Sequence, residues 1–118
     1  MMQQDREQMM ERCAEVCHEC NDACLRLIGH CLDLGGAHAS REHQTMLADC
    51  AAICAVSHSF LHRKSPLHVH TCGACAEVCR ACAEDCERLA EGDREMEECA
   101  AMCHRCAESC ARMSGAGV

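Results

Sequence analysis

The sequence predicts an all-α protein, an antiparallel up-down-up-down four-helix bundle with a core lined by cysteine. A block of the form Cys-Ala-x-x-Cys-x-x-Cys-x-x-x-Cys occurs at residues 13–24, 75–86 and 99–110, and a decayed copy occurs at 50–61. Four copies of one block indicate four equivalent structural units. Within each full block the cysteines are 4, 3 and 4 residues apart, a spacing that keeps their side chains on one face of a helix.

The first two helices are each predicted from a continuous stripe and from signals at their ends. Gly35 and Gly36 are expected to end the first helix, and Ser40 is expected to cap the second. Residues 1–8 should fray or form a short lead-in. The stripe of the first helix contains Cys13, Cys17, Cys20, Cys24, Leu27 and Cys31. The stripe of the second contains His43, Leu47, Cys50, Cys54, Ser57 and Leu61.

The third and fourth helices are predicted in the same way. Ser65 should cap the third helix, with Pro66 at its first helical position, and Gly92-Asp93 should separate it from the fourth. The third stripe contains His68, Cys72, Cys75, Cys79, Cys82, Cys86 and Leu89, and the fourth contains Met96, Cys99, Cys103, Cys106, Cys110 and Met113. Because the links are short, neighbouring helices should be antiparallel. Residues 1–118 are expected to form a single domain with a mobile tail at 114–118.

Antiparallel order also predicts which side chains share a level of the bundle. One level should contain Cys20, Cys54, Cys79 and Cys103, and the next Cys24, Cys50, Cys82 and Cys99. One end of the bundle should gather Met9, Met10, His58, His62, His68, His70 and Met113. The other end should gather Cys31, His43, Met46, Cys86 and Met96.

Composition excludes several classes of protein. Of 118 residues, 16 are cysteine, one is phenylalanine and none is tryptophan or tyrosine, and the net charge is −8. An ordinary aliphatic and aromatic core is therefore excluded, so cysteine or a bound ligand must fill the interior. An acidic chain without a basic patch is not expected to bind nucleic acid, and its apolar runs are too short to span a membrane. No export signal is visible, so we expect a cytoplasmic protein with reduced thiols.

Buried thiols have three interpretations. Free cysteine can be a small core hydrophobe, but near-continuous stripes on four helices argue against that. Disulfides need Cβ atoms about 3.5–4.5 Å apart, and residues i and i+4 on a helix are about 5–6 Å apart, although bridges between helices stay open. Two sulfurs joined linearly through one metal ion lie about 4.5 Å apart, which pairs such as Cys20 and Cys24 can reach. Binding of a soft metal by thiolates is therefore favoured.

Charge favours a monovalent ion. Sixteen buried thiolates would be intolerable without cations, and one monovalent ion per thiolate leaves the core near neutral, whereas one divalent ion would not. We therefore expect on the order of one ion per cysteine. Thiolates and thioethers select Cu(I), zinc or iron–sulfur clusters. Zinc usually takes four ligands from turns, but the C-x-x-C steps here lie within helices.

The candidate metal ligands are all sixteen cysteines and three further residues. A solvated histidine cluster and a gap-filling methionine are the alternative interpretations of those three. The complete set is Cys13, Cys17, Cys20, Cys24, Cys31, Cys50, Cys54, Cys72, Cys75, Cys79, Cys82, Cys86, Cys99, Cys103, Cys106, Cys110, His58, His68 and Met113.

The cysteine stripes with repeated C-x-x-x-C pairs resemble the bacterial copper storage proteins, from about Cys13 to Met113. The resemblance implies a four-helix bundle that holds many Cu(I) ions, a homotetramer, and the cytosolic branch of that family. The second helix departs from the pattern, because Ser57 and Leu61 stand where further thiols could be. An apolar stripe off the cysteine seam, Leu25, Ile28 and Leu32 with Ile53 and Val56, is a candidate contact with another subunit.

These observations predict cytosolic storage and sequestration of multiple Cu(I) ions, without enzymatic activity. The chain shows no nucleophile, base and orienting group that are separable from the metal ligands. The alternatives are a zinc or cadmium store of metallothionein type, and a metal-free thiol redox buffer or sensor. A copper chaperone is a further alternative, but its usual sign, one exposed C-x-x-C on a loop, is not evident.

Overall fold

The structure is a computed structural model that describes residues 2–115. It contains helices α1 (Met2–Leu34), α2 (Arg41–His62), α3 (His68–Ala90) and α4 (Arg94–Met113), with a short 3₁₀ helix, Gly36–Ala39, between α1 and α2. Each long helix packs mainly against its two neighbours in the ring, so α1 and α3 both contact α2 and α4. The bundle measures 51 × 20 × 18 Å. The predicted four-helix bundle is confirmed.

Contacts between sulfur atoms show that the helices are antiparallel. On α1 and α4, Cys13 lies beside Cys110 while Cys24 lies beside Cys103. Residue numbers therefore increase along α1 in the direction in which they decrease along α4. On α2 and α3, Cys54 lies beside Cys75, and Cys50 lies one turn further along beside Cys79.

Three predicted helix ends are confirmed by their hydrogen bonds. Gly35 follows α1 with φ +76° and donates its amide to the carbonyl of Cys31 at 3.1 Å, a left-handed conformation that favours glycine. Ser40 Oγ accepts from the amide of His43 at 3.2 Å. Asp93 Oδ2 accepts from the amide of Met96 at 3.0 Å. Side-chain oxygens therefore satisfy amides in the first turns of α2 and α4.

The predicted start of α3 is wrong by two residues. The helix begins at His68 rather than at Pro66. Lys64 has φ +59°, and Ser65 accepts twice, through Oγ from the amide of Leu67 and through its carbonyl from the amide of His68. These bonds close a turn over residues 65–68 that delays the helix.

The two ends of the chain were predicted to fray or to be mobile, and the structure describes part of each. Residues 2–8 form the first turns of α1, which is the lead-in that was expected as one outcome. Ser114 and Gly115 lie in a turn after α4. The predicted mobility of residues 116–118, and that of Met1, falls outside the described residues.

The core contains few large aliphatic side chains. Within residues 2–115 the buried hydrophobic residues include three leucines, Leu27, Leu47 and Leu61, and three methionines, Met10, Met96 and Met113. Alanines and all sixteen cysteines form the remainder of that core. Hydrophobic stabilisation scales with apolar area removed from water, so a core of small residues should give the metal-free bundle modest stability.

The N-cap of α4 gives a testable prediction. Replacing Asp93 with alanine should lower the free energy of unfolding by about 1 kcal/mol, because the Met96 amide loses its acceptor. Burial alone would raise the pKa of Asp93, but its bonds to His30 and to that amide lower it below the usual value. The stabilisation should therefore be present at neutral pH and be lost as pH falls through the lowered pKa.

Urea unfolding of the reduced apoprotein, followed by far-ultraviolet circular dichroism, measures this effect. The control is Glu98→Ala on the same helix, which removes an exposed contact with Arg94 at 3.5 Å and should change little. Equal losses in the two variants would contradict the assigned cap.

Candidate metal centre

The four cysteine stripes meet along the axis of the bundle. All sixteen cysteines are free thiols, and none is more than 4% exposed. Residues at steps of 3 and 4 share one helical face, so each helix directs its whole cysteine stripe into the interior. We call this buried set of sixteen sulfurs the thiol core.

Most close sulfur contacts in the thiol core join different helices. Cys17 and Cys110 are 3.5 Å apart, as are Cys54 and Cys79, while Cys50 and Cys79 are 3.6 Å apart. The contact within one helix between Cys75 and Cys79 measures 3.7 Å. A single metal ion could therefore bridge neighbouring helices as readily as neighbouring turns.

Twelve of the sixteen sulfurs belong to compact groups. Within each group all sulfur atoms lie within 4.8 Å of one another. Among residues 2–115 these groups are Cys17, Cys75, Cys106 and Cys110; Cys20, Cys50, Cys54 and Cys79; Cys20, Cys24, Cys50 and Cys103; Cys54, Cys75, Cys79 and Cys106; and Cys13, Cys72 and Cys110. Several cysteines belong to two groups, so the groups form one continuous sulfur network.

These distances suit thiolate-bound Cu(I). With metal–sulfur bonds near 2.3 Å, two sulfurs are about 4.6 Å apart in a linear site and about 4 Å apart in a trigonal one. Four pairs at i and i+4 have sulfurs within 4.8 Å, namely Cys20/Cys24, Cys50/Cys54, Cys75/Cys79 and Cys106/Cys110. The expectation that such pairs can hold one ion on a single helix is thus compatible with their geometry.

The predicted levels of the core are confirmed only in part, because Cys54 and Cys79 of one level are 3.5 Å apart but Cys103 contacts both levels. Cys103 lies 3.9 Å from each of Cys20, Cys24 and Cys50, so it sits between the two predicted levels.

Neighbouring thiols change one another's ionisation. The hydrogen bond between the sulfurs of Cys20 and Cys103, which are 3.9 Å apart, holds the pKa of Cys20 well below its usual value. The same contact raises the pKa of Cys103. Each ionised sulfur therefore depends on a neighbour that stays protonated, and all cannot ionise together in a low-dielectric interior without cations. A bound soft cation can replace the shared proton.

The three predicted ligands other than cysteine have different surroundings. Met113 is 8% exposed and lines a groove beside Cys13. His68 is also buried, and its Nδ1 lies 2.7 Å from the carbonyl oxygen of Ser65. His58 lies off the seam, with Nδ1 2.9 Å from the carbonyl of Ala14 and its ring near those of His18 and His62. Their roles as ligands stay predictions.

A different set of donors lies at the opposite end, where α1 and α2 are joined. Cys31 Sγ is 3.4 Å from His43 Nε2 and 3.3 Å from Met96 Sδ. Burial, followed by the negative charge of Asp93, raises the pKa of Cys31 to about 11. Sequence reasoning placed these residues together but did not count His43 and Met96 as ligands. Each of the two lies on the same helical face as the cysteines of its own helix, and this position was the signal in the sequence.

Among the described residues, no helix combines the length and the apolar character needed to cross a bilayer.

The fold and the thiol core together define a class of protein, a helical bundle whose interior is a multinuclear thiolate site for soft metal ions. Comparison with known families agrees with that class. The family model described as "Copper storage protein" matches residues 4–115. The chain belongs to the copper storage protein family.

Similar proteins support the assignment. A crystal structure of a protein from Nitrosospira multiformis is 40% identical, covers 92% of this chain and 97% of that one, and gives a TM-score of 0.85. The Cu(I)-bound copper storage protein BsCsp3 is 30% identical over 91% of this chain and 99% of that one, with a TM-score of 0.83. The cysteine-rich protein YhjQ of Bacillus subtilis is 32% identical over 72 residues, which are 61% of this chain and 67% of that protein.

Proposed function

We propose that this protein binds and stores multiple Cu(I) ions in its thiol core. The observation that carries the proposal is the continuous network of buried sulfurs, with groups of three and four thiols inside 4.8 Å. The Cu(I)-bound state of the similar protein BsCsp3 supports the choice of metal. Thiolates are soft ligands that favour Cu(I) over harder ions.

Charge sets the capacity that we propose. One Cu(I) per thiolate leaves the core near neutral, so about sixteen ions per chain is the expected order of capacity. We propose all sixteen cysteines as ligands, with Met113 and His68 as further donors at one end and His58 as a peripheral one. Residues 1–118 would then act as one storage domain.

The groups of four sulfurs would also fit tetrahedral zinc, whose ligands lie about 4 Å apart when bonds are near 2.3 Å. Each such site would carry two uncompensated negative charges in a buried interior, which is unfavourable. Native mass spectrometry of the reduced protein with each metal separates the cases. Cu(I) should add about one ion per cysteine, and zinc about one per four. Greater uptake of zinc than of Cu(I) would favour a metallothionein-type store.

A store needs no chemical transformation, and we propose that the protein is not an enzyme. A redox buffer would instead cycle its thiols through disulfides. Thiol titration before and after Cu(I) loading and removal tests this point. All sixteen thiols should be recovered, and reversible loss of thiols in the absence of metal would support the redox alternative.

We further propose a cytoplasmic location and a homotetramer. Thiols persist in a reducing compartment, which supports the location. On the outer faces of α1 and α2, Leu25, Leu32 and Val56 are 54%, 55% and 42% exposed, and exposed apolar side chains are available for contact with another subunit. Ile28 and Ile53 are half-buried against the core instead. Light scattering should give a mass near four chains, and a monomer at micromolar concentration would exclude the tetramer.

Replacing Ser57 with cysteine should increase the copper capacity of the protein. It stands at a cysteine place of the decayed block and is fully buried on α2, and within residues 2–115 its hydroxyl has no hydrogen-bond partner. Ser57→Cys should add one ion and also relieve an unpaired buried hydroxyl, which costs about 1–3 kcal/mol. Exposed Ala52→Cys on the same helix is the control. Equal copper uptake by the two variants would contradict a seam position for residue 57.

A further inference from the structure

Three different donor atoms converge at the end of the bundle where α1 and α2 are joined. Cys31 Sγ lies 3.4 Å from His43 Nε2 and 3.3 Å from Met96 Sδ, and no side chain of the three is more than 1% exposed. We propose that Cys31, His43 and Met96 form a separate three-coordinate Cu(I) site, unlike the all-thiolate sites of the thiol core. This inference rests on the proposed function.

The imidazole of His43 is already oriented as a ligand. Its Nδ1 lies 2.6 Å from Asp85 Oδ2, and a carboxylate oxygen accepts, so Nδ1 carries the hydrogen of this bond. A ring that ligates a metal is neutral, and with the hydrogen on Nδ1 its Nε2 lone pair faces Cys31 Sγ, 3.4 Å away. Asp85 is itself held by Arg88. A carboxylate that fixes the tautomer of a ligating histidine is a common second partner in metal sites, so Asp85 is a positioning residue.

One proton now occupies the place that we assign to copper. Cys31 has a single S–H and two acceptors, His43 Nε2 and Met96 Sδ. When Cu(I) binds, the S–H bond breaks, a Cu–S bond forms and the proton leaves to water, with no change in the oxidation state of copper. A trigonal ion needs its donors about 4 Å apart, so Cys31 Sγ must move away from His43 Nε2 and from Met96 Sδ by less than about 1 Å each.

Leucines separate this site from much of the thiol core. Leu27 lies between Cys24 and Cys31 on α1, and Leu47 lies between His43 and Cys50 on α2, both buried. Among the described residues, Cys31 belongs to none of the compact sulfur groups. One thiolate balances one Cu(I), and the two other ligands are neutral. With a single anionic ligand, the site should fill last and release its ion first.

Nitrogen NMR of histidine-labelled protein during anaerobic Cu(I) titration tests the proposal, since Cu(I) is diamagnetic. The Nε2 resonance of His43, assigned by its loss in His43→Gln, should shift near the end of the titration. The resonances of exposed His70 should not. An unshifted His43 at full copper load would overturn the site and leave a structural His43–Asp85 pair. The same titration reports total uptake, so failure to bind copper at all would instead refute the proposed function.

Variants of the thioether provide a second readout. Met96→Leu keeps the apolar volume but removes the sulfur, whereas Met102→Leu makes the same change at a half-buried position of the same helix. Loss of a ligand should let a chelator withdraw one ion per chain at least about tenfold more readily from Met96→Leu. Identical release from the two variants would overturn the role of Met96.

The tautomer of the His43 ring tests the proposed positioning role of Asp85. In the apoprotein, Asp85→Asn should convert the NMR pattern of His43 from one protonated at Nδ1 to a mixture of tautomers. An unchanged pattern would show that Asp85 does not position the ring.

Discussion

Replacing Cys20, Cys24, Cys79 and Cys82 together with serine should remove at least about four Cu(I) ions from each chain. Charge balance assigns about one ion to each thiolate, and Cys20, Cys24 and Cys79 also belong to compact groups whose other sulfurs would lose shared ions. The loss should therefore reach or exceed a quarter of the total. Copper content after anaerobic loading and desalting, divided by protein from amino-acid analysis, measures it.

Folding must be controlled in that experiment. Four buried hydroxyls cost about 1–3 kcal/mol each if they are left unpaired, so the quadruple Cys→Ala variant should be measured beside the serine variant. Ala52→Ser with Ala74→Ser adds hydroxyls on exposed faces of α2 and α3 and should bind copper like the unchanged protein. Unchanged capacity in a quadruple variant that remains helical by circular dichroism would show that copper binds elsewhere.

Replacing Leu47 with alanine should destabilise the metal-free protein by about 2–5 kcal/mol, because it removes apolar contacts and leaves a cavity. Leu47 is fully buried and is one of few large aliphatic side chains in the core. Total stability of small domains is only about 5–15 kcal/mol, so this single change should remove much of it. Urea unfolding of the reduced apoprotein by circular dichroism measures the effect.

Copper should rescue the same variant. A ligand that binds only the folded state stabilises it by mass action, and sites shared among four helices exist only in the folded chain. Leu47→Ala should therefore unfold readily without metal and resist unfolding when it is loaded. Leu67→Ala, at a position 57% exposed, is the control and should lose little. A loss below about 1 kcal/mol at Leu47 would contradict the view that leucine supports the apo core.

Much of the fold could be predicted because its signals are local. The cysteine steps define four helical faces, and Gly35, Ser40 and Asp93 mark helix ends through hydrogen bonds to residues three or four positions away. The start of α3 could not be predicted in the same way. Ser65 is able to cap a helix or to close a turn, and it does the latter with Leu67 and His68.

Relations between helices were harder to predict than the helices themselves. The stripe showed that Cys103 is buried, but its place between two predicted levels depends on how antiparallel helices interleave. The carboxylate of Asp85 reaches His43 from α3, across 42 positions of sequence, and no periodicity signals such a contact. The metal was predicted from chemistry, because a buried set of thiols with no large hydrophobic core needs a soft monovalent ion to balance it.

The most direct test of the account is an anaerobic titration of the fully reduced protein with Cu(I) in competition with a chromophoric chelator. Because the chain contains no tryptophan or tyrosine, protein is quantified by thiol content or amino-acid analysis. The account predicts tight uptake of about one Cu(I) per cysteine, since one monovalent ion per thiolate neutralises the core. Saturation at one or two ions would contradict storage in a shared thiol core.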